Sequence, residues 1–233
     1  MAKNTRNGKL IVIDGTDGSG KTTQMSLLAK KLKADGLKVK TIHFPHYENF
    51  FGEFIGHCLT EQYFNFINVH PKIASVLYAA DRWESSEEIK KYLKQGYIVV
   101  LDRYVSANQI HQGGKISNVK KREAFIKWLN EMEYEVFKIP RPDITLYLSL
   151  PLNLVEVLIK DRNQKSFRAY AGNKKDVHEV DLNFKKNSIK SAVWLSKFLK
   201  NFIKIDCAPN GKILPREVIH EEIYEKVKKI IKK

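Results

Sequence analysis

The chain has 233 residues, of which 43% are hydrophobic, and a formal net charge of +15. No apolar run approaches the roughly 20 residues of a membrane span, and the short basic N-terminus lacks the apolar stretch of a secretory signal. Two isolated cysteines, Cys58 and Cys207, exclude a disulfide framework or a cysteine-based metal site. We therefore expect one cytoplasmic domain spanning residues 1–233, with no membrane partner.

Strands and helices are predicted to alternate along the chain. Apolar runs predict strands at residues 10–13, 39–43, 98–101, 144–150 and 202–205. Helical periodicity predicts helices from the first glycine loop to Gly36, at 73–93, at 121–137, after Pro151, through Ile189, Val193, Leu199 and Phe202, and through Ile219, Ile223, Val227 and Ile230. Because parallel strands need crossover helices, this alternation predicts an α/β fold with a doubly wound parallel five-stranded sheet flanked by helices.

A glycine-rich loop lies between the first predicted strand and the first predicted helix. Its sequence GTDGSGKT matches G-x-x-x-x-G-K-[ST] in full. Glycines let successive N–H groups turn toward phosphate oxygens, and the helix N-terminus adds partial positive charge. Lys21 suits the β- and γ-phosphates, and the Thr22 hydroxyl suits Mg²⁺. The motif predicts binding of ATP or GTP by Gly15, Thr16, Asp17, Gly18, Ser19, Gly20, Lys21, Thr22 and the adjacent Thr23.

Further polar residues follow the third strand and occupy the helix before it. Asp102 and Arg103 stand at the strand end, where open α/β sheets bind ligands. Asp102 suits Mg²⁺ or its water, and Arg103 offers a planar fork for an acceptor phosphate. Tyr78 and Arg82 are four residues apart on a predicted helix, so they share a face that suits a base and its phosphate.

Taken together, these motifs resemble the thymidylate kinase family in order and spacing. The similarity rests on the P-loop, Phe44-Pro45, residues 77–84 and residues 102–113, and it covers most of residues 9–206. It implies a P-loop kinase that transfers the γ-phosphate of MgATP to dTMP. It also implies a mobile lid at about residues 162–178 and a homodimer.

The resemblance further implies roles for individual residues. A thymidylate site would comprise Asp17, Phe44, Pro45, Tyr47, Tyr78, Arg82, Arg103, His111 and Gln112. In that site Asp17 would bond the 3′-hydroxyl, Tyr78 would stack on thymine and Gln112 would bond the base. Arg82 and Arg103 would hold the phosphate.

The donor side and the catalytic group are implied in the same way. Arg162 would stack on adenine, and the catalytic residues would be Lys21, Asp102 and a lid arginine. One branch of the family carries that arginine in the P-loop, but Gly18 stands there in this chain. We therefore expect Arg168 to be the catalytic arginine.

Two positions depart from the family pattern. Tyr47 stands where the family has a phosphate-binding arginine, and His111 where it has an aromatic residue that crowds the 2′-carbon. The first departure affects the phosphate site, and the second affects discrimination against ribonucleotides.

Three other functions are weighed against this one. A deoxynucleoside kinase is disfavoured because the second strand ends without the carboxylate base that a hydroxyl acceptor needs. A nucleotide kinase of other base specificity stays open. A nucleic-acid-stimulated ATPase rests on net charge alone, and the lysines are spread along the chain, so we expect no nucleic-acid partner.

Overall fold

The computed structural model describes residues 8–60, 63, 66–165 and 181–232, and for residues 159–165 it describes the backbone alone. It contains a sheet of five parallel strands, which confirms the predicted fold class. The strands are β1 (Lys9–Gly15), β2 (Val39–His43), β3 (Ile98–Asp102), β4 (Ile144–Ser149) and β5 (Phe202–Asp206). Their order is β2-β3-β1-β4-β5, so the P-loop strand β1 lies at the centre.

Helices cover both faces of the sheet. They are α1 (Lys21–Ala34), α2 (Phe50–Leu59), α3 (Pro71–Glu84), α4 (Ser86–Lys94), α5 (Val105–Gly114), α6 (Val119–Asn130), α7 (Leu152–Lys165), α8 (Leu182–Phe198) and α9 (Arg216–Ile231). A π-helical turn, Glu131–Val136, extends α6, and a short 3₁₀ turn, Pro209–Gly211, precedes α9. None of these helices is long and apolar enough to cross a bilayer.

One predicted helix needs correction, and two helices were missed. The single helix predicted at 73–93 is two helices, α3 and α4, which meet at Ser85. Ser85 ends α3 and also precedes the first residue of α4, without a side-chain capping hydrogen bond. Helices α2 and α5 were not predicted at all.

Alternate residues of the strands bury two apolar layers, as expected for a sheet covered on both faces. One layer packs β1, β3 and β4 against α1, α7 and α9 and includes Ile11, Leu28, Leu146, Val155 and Ile223. The other packs the opposite strand faces against α4, α5, α6 and α8 and includes Val12, Leu101, Ile110, Phe125 and Leu195.

The buried face of α8 differs from the predicted one. Ile189 and Val193 are half-buried, whereas the buried positions are Phe184, Lys185, Ser188, Ser191, Ala192 and Leu195. Phe202 belongs to β5 rather than to the helix. The reason is a close approach to α5, where a Cβ added at Gly114 would lie 3.0 Å from the carbonyl oxygen of Asn187. Small residues, Ser188, Ser191 and Ala192, therefore occupy the buried face near this contact.

Candidate functional site

The sheet brings the glycine loop and the third strand end together. Residue Ile13 of β1 pairs with Asp102 of β3, and the Arg103 N–H donates to the Ile13 carbonyl oxygen at 3.0 Å. Both strands therefore end at the same edge, as expected for ligand sites in parallel sheets. Two loop glycines, Gly18 and Gly20, have φ values of 82° and 86°, a region that glycine enters without strain.

A cavity of about 640 Å³ opens at this edge. The predicted residues that line it are Asp17, Gly18, Gly20, Lys21, Thr22, Thr23, Phe44, Pro45, Tyr47, Tyr78, Arg82, Asp102, Arg103, His111 and Gln112. Gly15, Thr16 and Ser19 do not line it. They support the loop, since a Cβ on Gly15 would lie 2.5 Å from the Ser19 Oγ. The cavity thus unites residues predicted for donor and acceptor.

Lys21 lies across the glycine loop with its amine buried. Its Nζ donates to the carbonyl oxygens of Gly15 at 3.1 Å and Thr16 at 3.0 Å, and it lies 3.6 Å from the Asp17 carboxylate. Burial lowers the pKa of Lys21, and the nearby Arg103 charge lowers it further. The amine is therefore held at the loop by weak neutral acceptors and one carboxylate, which a phosphate can replace.

Thr22 and Asp102 place two oxygen ligands side by side. The Thr22 hydroxyl donates to Asp102 Oδ2 at 2.9 Å, and His43 Nδ1 lies 3.4 Å from the same oxygen. Burial raises the pKa of Asp102, but the His43 hydrogen bond and the charges of Lys21 and Arg103 outweigh it, so the pKa is lowered. A hydroxyl beside an ionised carboxylate is a donor set that Mg²⁺ accepts.

In the described part of the chain, no three or more His, Cys, Asp or Glu side chains form a group that could hold a metal. Mg²⁺ commonly takes one or two protein oxygens and completes its shell with water and phosphate. The Thr22 and Asp102 pair fits that mode of binding.

Arg103 links the glycine loop to α5. Its Nη2 contacts Asp17 Oδ1 at 2.5 Å, and its Nη1 lies 3.1 Å from His111 Nε2. Its φ of 66° is uncommon for a residue with a side chain. Burial lowers the pKa of Arg103, but Asp17, Asp14 and Asp102 raise it by more, so the guanidinium stays charged. A cation is thus fixed at the cavity wall beside the loop.

Arg82 has a partner that the sequence did not predict. Its Nε and Nη2 donate to the two carboxylate oxygens of Glu133 at 2.7 and 2.6 Å, and both residues are buried. Asn108 Nδ2 also donates to Glu133, at 3.2 Å. The predicted phosphate contact of Arg82 must be weighed against this pairing, because its charge is already matched by a carboxylate.

Aromatic residues form the other wall of the cavity. The Phe44 ring packs on Tyr104 with centroids 5.8 Å apart, and the Tyr78 ring packs on Phe66 at 5.4 Å. Gln112 is buried, and its Oε1 has no hydrogen-bond partner among the described atoms. A buried amide oxygen at a cavity wall is a free acceptor for a ligand N–H.

The turn carrying Pro45 and Tyr47 is tied to α3 by an unpredicted residue. Asp81 is fully buried and accepts hydrogen bonds from the His46 N–H at 3.1 and 3.4 Å. Burial raises the pKa of Asp81 to about 6. The turn also packs on α2, since a Cβ on Gly52 would lie 1.9 Å from the His46 carbonyl oxygen.

Asp14, near the end of β1, also lies at the edge of the sheet where the cavity opens, and the sequence did not point to it. It is fully buried and accepts hydrogen bonds from the Gly15 N–H at 2.8 Å and from the Ser106 hydroxyl at 2.5 Å. Burial raises its pKa. The available signal was its position, because it is a charged residue at the end of an otherwise apolar strand.

The predicted lid lies largely outside the described residues. Arg168 falls in the segment 166–180, and Arg162 lies within α7 among the residues whose side chains are not described. Their assigned roles stay predictions. The cavity includes six further residues that were not predicted to bind ligand: His43, Leu59, Tyr104, Ala107, Asn108 and Leu158.

Comparison with known proteins agrees with this geometry. The family model described as thymidylate kinase matches residues 13–196. A thymidylate kinase of Plasmodium falciparum (isolate 3D7) is 32% identical over 156 residues, which are 67% of this chain and 68% of that protein. One from Mesoplasma florum is 28% identical over 224 residues, covering 95% and 93% of the two chains.

A solved structure shows the same similarity in three dimensions. The thymidylate kinase from Candida albicans superposes with a TM-score of 0.70 at 26% identity, covering 97% of this chain and 94% of its own. The family model spans more than half of the chain, and the structural match extends over nearly all of it. The chain therefore belongs to the thymidylate kinase family.

Proposed function

We propose that this protein is a thymidylate kinase that transfers the γ-phosphoryl group of ATP to dTMP and releases dTDP and ADP. The observation that carries the proposal is the shared cavity. In it a phosphate-binding loop and an acceptor-side cation, Arg103, are joined through Asp17. The family relationship supports the same reaction.

On the donor side, Lys21 would exchange its contacts with the loop carbonyls for the β- and γ-phosphates of ATP. Mg²⁺, when bound, neutralises charge on those phosphates, and Thr22 and Asp102 are the residues that would hold it. The depressed pKa of Asp102 keeps its carboxylate ionised for this role.

On the acceptor side, we assign the phosphate to Arg103 and revise the role of Arg82. Arg103 has five N–H donors, of which its contacts with Asp17 and His111 use two. Glu133 binds two nitrogens of the buried Arg82, whereas Asp17 contacts one nitrogen of the partly exposed Arg103. The pairing of Arg82 therefore suits contact with a neutral carbonyl of the base better than contact with a dianion. The Gln112 amide oxygen would accept from the imide N–H of thymine.

The chemistry needs positioning and charge neutralisation rather than a covalent intermediate. A nucleotide phosphate is already ionised, so no carboxylate base is required near β2, and that strand ends at His43. A nucleoside acceptor would need such a base. The proposal also keeps the predicted lid at 162–178, Arg162 at adenine and Arg168 at the transferring phosphoryl group.

The test is an acceptor panel with MgATP, followed through ADP release. It comprises dTMP, dUMP, ribothymidine monophosphate, dGMP and thymidine, with Lys21→Met as the inactive control. We expect the highest kcat/KM for dTMP. A higher kcat/KM for thymidine than for dTMP would refute the proposal in favour of a nucleoside kinase.

We further propose a homodimer, supported by an exposed apolar stripe on α3. Ile73, Val76 and Trp83 are solvent-exposed and recur at helical spacing, and Phe50 of α2 is also exposed. Contiguous exposed apolar residues favour a protein interface. Sedimentation of the protein and of Ile73→Asp tests this, since a monomeric wild-type protein would contradict it.

One domain over residues 1–233 and a cytoplasmic location also stay predictions.

A further inference from the structure

The side chain of Arg103 is held at two points. Asp17 of the glycine loop accepts from Nη2, and His111 of α5 lies 3.1 Å from Nη1. An arginine side chain has many rotamers, and a fixed guanidinium plane requires partners that define its orientation. The contacts on the two terminal nitrogens provide that definition and leave the remaining N–H groups for an acceptor phosphate.

The contact with Arg103 determines the tautomer of His111. A guanidinium has donors and no acceptor, so Nε2 of the imidazole must present its lone pair to Nη1. The proton then resides on Nδ1, which lies 3.0 Å from the Ser188 Oγ and donates to it. In this arrangement one ring nitrogen accepts a hydrogen bond and the other donates one.

The plane of the His111 ring is fixed as well. It stacks on Phe184 of α8 with ring centroids 5.6 Å apart and an interplanar angle of 12°. Among the described residues, the positive groups near this stack are Arg103, Lys185 of α8 and Lys115, whose Nζ lies 5.9 Å from the centroid of the Phe184 ring. Of these three, Arg103 is hydrogen-bonded to the His111 ring.

We propose that His111 is a positioning residue, which orients the Arg103 guanidinium toward the acceptor phosphate by accepting a hydrogen bond at Nε2. This inference rests on the proposed function, in which Arg103 binds that phosphate. It adds a chain of contacts from the glycine loop through Arg103 and His111 to Ser188 of α8. His111 thereby acts on the phosphate through Arg103 and not through the base.

Two substitutions separate this role from packing. His111→Phe keeps a ring that can stack on Phe184 but removes the acceptor, whereas His111→Gln supplies an amide oxygen near the former Nε2. His220→Phe, on α9, is the control for replacing a half-buried histidine. Calorimetry measures the dissociation constants of dTMP and thymidine for each, and their ratio isolates the contribution of the phosphate.

We expect His111→Phe to weaken dTMP binding about tenfold, the loss typical of one hydrogen bond to a charged group, and to leave thymidine binding within about twofold. His111→Gln should recover most of the dTMP affinity, and His220→Phe should match the wild type. Ser188→Ala, which leaves both ring nitrogens in place, should give a smaller loss of the same selectivity and serves if His111→Phe fails to fold.

Other results would overturn the inference. Equal weakening of dTMP and thymidine by His111→Phe assigns His111 to packing, and a Gln variant as poor as the Phe variant removes the acceptor argument. If the wild type transfers phosphate to dTMP yet His111→Phe keeps the full affinity ratio, the inference alone fails. If the wild type neither prefers dTMP over thymidine nor phosphorylates it, the proposed function fails first.

Discussion

Replacing Glu133 by glutamine should strip Arg82 of its counter-charge while changing the side-chain volume little. In the native protein both side chains are buried and share hydrogen bonds of 2.7 and 2.6 Å. Breaking a buried pair from one side costs about 3–5 kcal/mol, because an uncompensated charge remains in the interior. With roughly 2 cal/mol/K of unfolding entropy per residue over 233 residues, this corresponds to a fall in Tm of about 6–10 °C.

The assay is urea unfolding followed by circular dichroism, with thermal unfolding beside it. Glu135→Gln is the matched control, since Glu135 pairs with Arg141 at the surface from the same π-helical turn, and exposed pairs often contribute nothing measurable. The double substitution Arg82→Met with Glu133→Leu should recover most of the stability. A loss under about 1 kcal/mol for Glu133→Gln would refute the reasoning, which requires the carboxylate to balance a buried charge.

Three further predictions follow from other contacts. The pKa of Asp81 is raised to about 6, so the native state holds this proton more tightly than the unfolded chain, and stability falls as the pH rises from about 4 to 6. Urea midpoints measured across this range should fall in the wild type and lack this slope in Asp81→Asn. Parallel profiles for the two proteins would contradict the prediction. Gly114→Ala should lower the free energy of unfolding by about 1–3 kcal/mol. Gly113→Ala should be nearly neutral, because its added carbon lies 3.4 Å from the flexible Ser191 hydroxyl. Equal urea midpoints for the two variants would count against the close approach of α5 and α8. Thr22→Ala should lower kcat more than about tenfold and raise the Mg²⁺ concentration needed for half-maximal rate, whereas Thr22→Ser should retain activity. An unchanged Mg²⁺ dependence in Thr22→Ala would show that Thr22 is not a metal ligand.

The strands and the glycine loop could be predicted because their signals are local. A central strand such as β3 is a continuous apolar run, and all five of its residues are buried. The loop is specified by its own glycines together with Lys21 and Thr22. Once β1 and β3 are neighbours in a parallel sheet, the proximity of Asp102 to the loop follows from the register.

The missed features depend on contacts between distant segments. Glu133 lies 51 residues after Arg82 in a π-helical turn, and no spacing rule connects them. The face of α8 was misassigned because apolar residues were assumed to be buried. The true contact, near Gly114, buries serines such as Ser188, since the distance between the helices excludes larger side chains. Asp81 was not singled out because its hydrogen-bond partner, the His46 N–H, lies 35 residues away and cannot be read from sequence.

The approach of α5 to α8 also limits which substitutions this protein can accept. The carbon added at Gly114 would meet backbone atoms of Asn187 and Ser188, so no exchange of side chains on α8 can make room for it. Position 113 is different, because its nearest neighbour is the Ser191 hydroxyl. A larger residue at 113 can therefore be accommodated by a smaller one at 191. A variant with a larger residue at 114 must move α8 outward and carry Ser188 away from His111. A larger side chain at position 114 is therefore expected to weaken the hydrogen bond between His111 and Ser188.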